Sequence, residues 1–303
     1  MRSADVRKWV SVTDSPRTVV VTGSGSGLGL ATSRRLVESG YRVIGVDLRD
    51  ADVEVDLRDA MERRSAVEQI VGLCDGHLDS LVTFAGVSAF AGLGGDDIVS
   101  INYFGTVELA SALCESLEMG IESSVVAVSS NAATTAPGVN ESLVESCLAG
   151  DELEARAAGR EVGPVGAYSA SKFAVARWVR RHAPSDEWIG RGITLNAIVP
   201  GLFETPMTQA MRQLPDASAM LKKSRLPIGR SGQPTEVAEL VAFLVGPNAR
   251  FIVGSLMFID GGKDAALRAD DWPSPRRRRG GPSVLPDQVD SVRADRANDY
   301  YSS

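Results

Sequence analysis

Tyr168 and Lys172 stand four residues apart in the run Tyr168-Ser-Ala-Ser-Lys172. On a helix that spacing turns both side chains to one face. A phenol with its ordinary pKa near 10 is a poor base at neutral pH. An ammonium beside it, and a cationic ring opposite it, would both favour phenolate and lower that pKa. Tyr168 could then take the proton of an alcohol, or give one to a ketone. Ser130 closes the apolar run Val126-Ala-Val-Ser-Ser130. A hydroxyl at a strand end could hold the reacting oxygen and steady its developing charge. Taken singly, each residue has a plainer reading. A tyrosine and lysine one turn apart are usually a surface pair, Ser130 could be a turn residue, and Asn102 an interior polar contact.

A second group of residues is suited to phosphate. Thr22 to Gly29 reads TGSGSGLG, with glycines at 23, 25, 27 and 29. Glycine permits the tight turn and lets main chain approach a pyrophosphate. The helix that follows would aim its first amides at the anion. A lone glycine pattern is weak evidence, but this one follows a strand and opens a helix. Asp47 ends the next strand, where a carboxylate would accept hydrogen bonds from the adenosine ribose hydroxyls and repel a 2′-phosphate. The residue before Gly27 is Ser26, which carries no positive charge. Both features predict NAD rather than NADP. Asp56 is placed to meet the adenine amino group, with a loop cap as the equally weighted alternative.

The elements that must position these groups alternate. Short β-branched runs at 17–22, 41–47, 78–84, 124–129, 193–199 and 256–259 read as buried strands, with a weak one at 51–57. Helical spacing covers 28–39, 60–73, 97–117, 167–181 and 235–245. Alternation of this kind predicts an α/β fold: a doubly wound parallel sheet of Rossmann type, helices on both faces, in a single domain. A β/α barrel fits the alternation too, and the glycine cluster after the first strand decides against it. The domain is expected over 17–268, after an N-terminal arm at 1–16 and before a disordered tail at 269–303. An insertion at 132–166 is too long for a simple connection and holds one or two acidic helices within 141–160. The Met- and Leu-rich stretch 202–226 is either an adaptable apolar lid or an amphipathic helix packed on the body.

Bulk properties narrow the partners. The 303-residue chain is 44% hydrophobic, which suits a globular protein. Its net charge of -7 argues against nucleic acid as a main partner. The four arginines 276–279 leave polyanion binding by the tail as a minor alternative. Cys74, Cys114 and Cys147 are odd in number and far apart, so reduced thiols and a cytoplasmic location are expected. Neither a secretory signal nor a membrane span is evident. His77 and His182 lie outside the motifs, and no metal is expected.

Together, TGSGSGLG and Tyr168-Ser-Ala-Ser-Lys172 resemble the short-chain dehydrogenase/reductase family, which carries TGxxxGxG and YxxxK at these places. The resemblance spans about 17–262 and includes Asn102, Ser130, the run Asn196–Gly201, Thr205 and Asp260-Gly-Gly262 in the family's order. It implies a catalytic set of Asn102, Ser130, Tyr168 and Lys172, with Lys172 also holding the nicotinamide ribose and Asn102 holding a water behind it. The implied cofactor set is Gly23, Ser26, Gly27, Leu28, Gly29, Asp47, Asp56, Leu57, Ala85, Gly86, Pro200, Gly201 and Thr205, together with Tyr168 and Lys172. Hydride would pass between NAD and the carbon of a secondary alcohol or ketone.

Two departures matter. Thr83-Phe-Ala-Gly86 stands where the family usually has NNAG, so Phe84 replaces an asparagine that braces the sheet. The insertion, with DIVSINYFGT and IDGGKDA, is similar to the hydroxysteroid dehydrogenase/carbonyl reductase branch, which coniferyl-type alcohol dehydrogenases share. That implies a homodimer through 235–245 and 256–259, and a hydroxysteroid, related carbonyl compound or aromatic alcohol as substrate. A non-catalytic NAD-sensing regulator is the reading from another class. Retention of both Tyr168 and Lys172 weighs against it.

Overall fold

The computed structural model describes residues 16–224 and 226–272. Seven parallel strands form one sheet: β1 (Thr18–Thr22), β2 (Arg42–Asp47), β3 (Val53–Glu54), β4 (Ser80–Thr83), β5 (Ser124–Val128), β6 (Thr194–Pro200) and β7 (Leu256–Ile259). Their order is β3-β2-β1-β4-β5-β6-β7. The chain winds outward one way from β1, then returns to its other side at β4. Loops that leave β1 and β4 therefore diverge and open a crevice at the strands' carboxyl ends.

Every residue of β1, β4, β5 and β6 is buried. That explains their unbroken apolar character, since helices cover both faces. Alternate side chains of β1 serve different layers. Val20 joins the core that holds Ile70, Leu109, Val125 and Trp178. Val19 and Val21 join the opposite core with Leu36, Val241 and Leu244. The second layer is α1 (Gly27–Glu38) against α11 (Pro234–Val245). The first is built from α2 (Ala60–Leu73), α4 (Gly105–Ala112), α5 (Cys114–Glu118) and the long α8 (Glu152–His182).

Three segments differ from the sequence reading or complete it. The single helix expected over 97–117 is α3 (Gly95–Val99), a π-turn (Ser100–Phe104), then α4 and α5. Gly105 N–H reaches Ser100 O across the wider turn. A π-turn is rare and has no composition signature of its own, so the sequence reading runs one helix through it. In the insertion, α6 (Ala132–Thr135) is followed by α7 (Glu141–Ala149), which Asn140 caps through Leu143 N–H at 2.8 Å. The next helix is α8 itself, capped by Asp151, so insertion and catalytic helix are continuous apart from a break at Gly163. Gly163 has φ +71 and Pro164 follows with no N–H to donate, which accounts for the kink. The Met-rich stretch forms α9 (Pro206–Gln213) and α10 (Pro215–Lys223). A short α12 (Lys263–Leu267) follows β7.

Residues up to Leu267 form one compact unit, and a second begins at Arg268. Of the second, 268–272 are described, with Asp271 N–H bonded to Arg268 O at 3.1 Å. The arm expected at 1–16 and the tail at 269–303, with its four arginines, lie almost entirely outside the described residues.

Candidate active site

Main chain builds one end of the crevice. Gly23 N–H donates to Val46 O at 2.7 Å, which folds the loop back over β2. Gly23 has φ +70, and a Cβ there would meet Ala85 N at 2.7 Å. A Cβ on Gly29 would lie 2.1 Å from Gly23 O. Only glycine lets loop and helix approach this closely. Ser26 precedes α1 without capping it by its side chain. The first amides of α1 are thus left to face an anion.

Asp47 ends β2 beside this loop. Its Oδ2 accepts from Gly25 N–H at 2.8 Å and its Oδ1 from Leu48 N–H at 2.7 Å. The carboxylate therefore shapes the glycine loop as well as bordering the crevice. Asp56 borders the same crevice. Arg58 Nε donates to both of its carboxylate oxygens, at 3.0 and 2.9 Å. The hydrogen bond from Arg58 keeps the Asp56 carboxyl below its usual range. Leu57 is buried beside it, and its carbonyl accepts from Arg63 at 2.8 Å.

Side chains build the other end. Ser130 follows β5, Tyr168 and Lys172 lie on α8, and the Ser130 hydroxyl lies near the Tyr168 phenol. Lys172 is 4% exposed, and its Nζ donates to Val128 O at 2.9 Å. Ser129 Oγ donates to Lys172 O at 2.7 Å, which ties the catalytic turn of α8 to the end of β5. Asn131 N–H bonds Pro200 O, and Gly201 N–H bonds Ile259 O, both at 3.0 Å, so three strand ends are laced together.

Burial pushes the Tyr168 phenol up, and the nearby Ser130 hydroxyl only partly offsets this. Burial also pulls the Lys172 ammonium down to about 8. At about 8 the amine still carries its proton at neutral pH. In this state Tyr168 is a proton donor, the form that reduction of a ketone requires.

One cleft of about 370 Å³ is bordered by Ser130 and by every residue that the sequence nominated for cofactor, from Gly23 to Thr205. That volume falls within the range of small-molecule sites. Asn102 is not on its wall. It is fully buried, and its side chain holds Val87 on both sides, Oδ1 to N–H at 2.9 Å and Nδ2 to O at 3.0 Å. Its main-chain carbonyl accepts from Thr106 Oγ1 at 3.2 Å. Thr205 caps α9, accepting from Thr208 N–H at 3.3 Å. Its hydroxyl also lies 3.3 Å from Thr208 Oγ1. Phe84 and Met207, noted from sequence for other reasons, also line the cleft, as do Val87, Ile101 and Phe203, which were not singled out. Val87 and Phe203 follow the carboxyl ends of β4 and β6, where α/β sheets bind ligands, whereas Ile101 comes from the π-turn.

Among the described residues, no three metal-ligating side chains gather. His77 and His182 lie outside the cleft, and the three cysteines are free and buried. Among the same residues, no helix is long and apolar enough to cross a membrane.

This geometry has relatives. Residues 17–142 match the family model described as short chain dehydrogenase, and 152–264 match one described as enoyl-(acyl carrier protein) reductase. The 3-alpha-hydroxysteroid dehydrogenase/carbonyl reductase of Comamonas testosteroni is 36% identical over 253 residues, covering 82% of this chain and 97% of that protein. The chain belongs to the short-chain dehydrogenase/reductase family. It is therefore an oxidoreductase that binds a nicotinamide cofactor and moves hydride between it and an alcohol or ketone carbon. This dehydrogenase is also 32% identical to the cis-4-hydroxycyclohexanecarboxylate dehydrogenase of Sinomonas cyclohexanicum, covering 82% of the chain and 97% of the relative. Among solved structures, the 3-alpha-hydroxysteroid dehydrogenase of Pseudomonas sp. B-0831 in complex with NADH superposes with a TM-score of 0.80. It is 42% identical, covering 84% of this dehydrogenase and 99% of that chain.

Proposed function

We propose that this short-chain dehydrogenase works in the cytoplasm with NAD(H) on a cyclic secondary alcohol or ketone of hydroxysteroid type. Asp47 carries the cofactor half of this reading. A carboxylate at the end of β2, with Ser26 rather than a basic residue in the loop, favours ribose hydroxyls over a 2′-phosphate. The relatives named above support the substrate half, since both act on ring-borne hydroxyl groups by name.

When bound, the cofactor supplies the hydride acceptor or donor. The chain's own residues do the rest. Ser130 holds the substrate oxygen beside the Tyr168 hydroxyl. In reduction Tyr168 gives its proton to that oxygen as the carbon gains hydride. In oxidation it takes the proton as the carbon loses hydride. Lys172 would hold the nicotinamide ribose, and Thr205 would bond the carboxamide.

A substrate screen tests the proposal. NADH consumption should be measured with 3-ketosteroids, cyclohexanones, cinnamyl-type aldehydes and simple aromatic ketones, and NAD reduction with the matching alcohols. Turnover of the cyclic ketones is expected. A preference for cinnamyl substrates would replace the substrate assignment. Binding of NADH without turnover of any compound would point to a sensor. A kcat/KM for NADPH tenfold above that for NADH would overturn the role given to Asp47.

The assembly belongs to the same proposal. We infer a homodimer through α11 and β7. All four side chains of β7 are only half-buried, and Phe243 and Phe251 are exposed nearby. Light scattering should return twice the chain mass of 32.1 kDa, and a tetramer would contradict the interface.

A further inference from the structure

The inserted segment reaches the cofactor cleft through one carboxylate. Glu152 opens α8, just inside the cap made by Asp151. One of its oxygens pairs with Arg63 Nη2, and the other accepts from Ser100 Oγ at 2.7 Å. Arg63 is among the most buried charged groups described, at 1% exposure. It also meets Glu108 at 2.7 Å, and its Nη1 donates to Leu57 O at 2.8 Å. A guanidinium removed from water needs its donors matched, and here three acceptors from three segments do so.

The two arms of Glu152 end on different walls of the cleft. Through Arg63 it fixes the main chain of Leu57, which lines the cleft next to Asp56. Leu57 is held from its other side by α4, where a Cβ on Gly105 would lie 3.1 Å from it. Through Ser100 the carboxylate fixes the π-turn that carries Ile101, another lining residue, and Asn102. Arg156, one turn further along α8, donates to the same Ser100 hydroxyl at 2.7 Å.

We propose that Glu152 is a positioning residue for the adenosine half of the dinucleotide, clamping the Leu57 wall to the Ser100–Phe104 turn through Arg63. The insertion then serves the cofactor site within its own chain, whatever it does between chains. This rests on the reading that the cleft holds a dinucleotide with its adenosine at Asp47 and Leu57.

The experiment uses the full chain and three variants. Glu152→Gln keeps the shape and removes the charge. Arg63→Lys keeps the charge but cannot reach all three acceptors. Glu145→Gln removes an equivalent charge from the same insertion, where Glu145 pairs only with Arg177 and Arg181 on the surface. Affinity for NADH is read by fluorescence, and affinities for AMP and nicotinamide mononucleotide by displacement. Glu152→Gln and Arg63→Lys should each raise the Kd of NADH and of AMP by about tenfold, the scale of one charged hydrogen bond lost. Nicotinamide mononucleotide should bind as before, kcat at saturating NADH should change by less than about twofold, and Glu145→Gln should match wild type. Unchanged AMP affinity in both variants would overturn the proposal. So would equal weakening of AMP and the mononucleotide, which means general loosening. If wild type binds neither NADH nor AMP, the cofactor assignment falls first and takes this inference with it.

Discussion

At the Gly23–Gly29 end of the cleft the wall is main chain, folded so tightly that a methyl group on Gly29 would fall 2.1 Å from Gly23 O. At the Tyr168 end the wall is side chain: a phenol, an ammonium and a hydroxyl, buried against strand ends. The first end has no titrating group in its loop and no spare room. The second has room for near-isosteric replacement but depends on where protons reside. Shape changes should therefore break one end, and changes of proton inventory the other.

The largest effect expected is at the side-chain end. Tyr168→Phe removes one oxygen and no bulk. The kcat should fall by at least ~10²-fold, the low end for acid–base catalysis. The Kd of NADH should stay within about twofold, because the glycine loop is untouched. Steady-state kinetics alongside a binding titration checks both. Near-normal kcat would remove Tyr168 from proton transfer, and lost NADH affinity would show that the two ends are not separable.

Gly29→Ala is the complementary break. Overpacking against main chain costs about 1–3 kcal/mol, so NADH should bind roughly 10- to 100-fold more weakly. Any enzyme saturated with NADH should turn over at a rate close to wild type. If the variant does not fold, Gly25→Ala gives a milder test, since the nearest atom to its Cβ would be the side-chain Asp47 Oδ2, at 3.1 Å. An alanine at 29 that binds NADH normally would mean the loop is looser than its contacts imply.

A third contrast is read through stability against pH. Burial lowers Lys172 from 10.5 to about 8, so the folded protein gives up this proton before the unfolded chain does. Between those two values the unfolded state binds more protons, and stability must rise with pH. The slope cannot exceed about 1.4 kcal/mol per pH unit for one group. Wild type should gain stability over Lys172→Met as pH rises from 8 to 10, seen as a growing difference in denaturation midpoint. A difference that is flat or shrinking would place the lysine in water.

The same division explains what the sequence made legible. The glycine loop depends on turn chemistry within eight residues, and the Tyr168–Lys172 pair on one helical turn, so both could be read locally. The π-turn at Ser100–Phe104 could not. It is held by Glu152, 52 residues on, and by the grip of Asn102 on Val87. Gly163-Pro164 resembles a helix end and does break α8, at a φ of +71, yet helical residues resume directly after it. The depth of Lys172, 4% exposed, was hidden for a related reason. Sequence shows which charges are near, but not how completely the fold strips water from them. The stretch 202–226 left two readings open. The structure supplies two short helices, with Met207 on the cleft wall and Ala217 buried.

The smallest expected effect falls on the residue that serves both ends. The Thr205 side chain caps α9 by accepting from Thr208 N–H, and its backbone N–H donates to Thr208 Oγ1 at 3.0 Å. Loss of a cap costs about 1 kcal/mol, and loss of a neutral hydrogen bond to the carboxamide a similar amount. Thr205→Val keeps the volume and removes both. It should lower kcat/KM for NADH by about five- to thirtyfold, mostly through KM, while Thr205→Ser should stay near wild type. If valine and serine behave alike, the hydroxyl contributes neither cap nor contact, and α9 is held by packing alone.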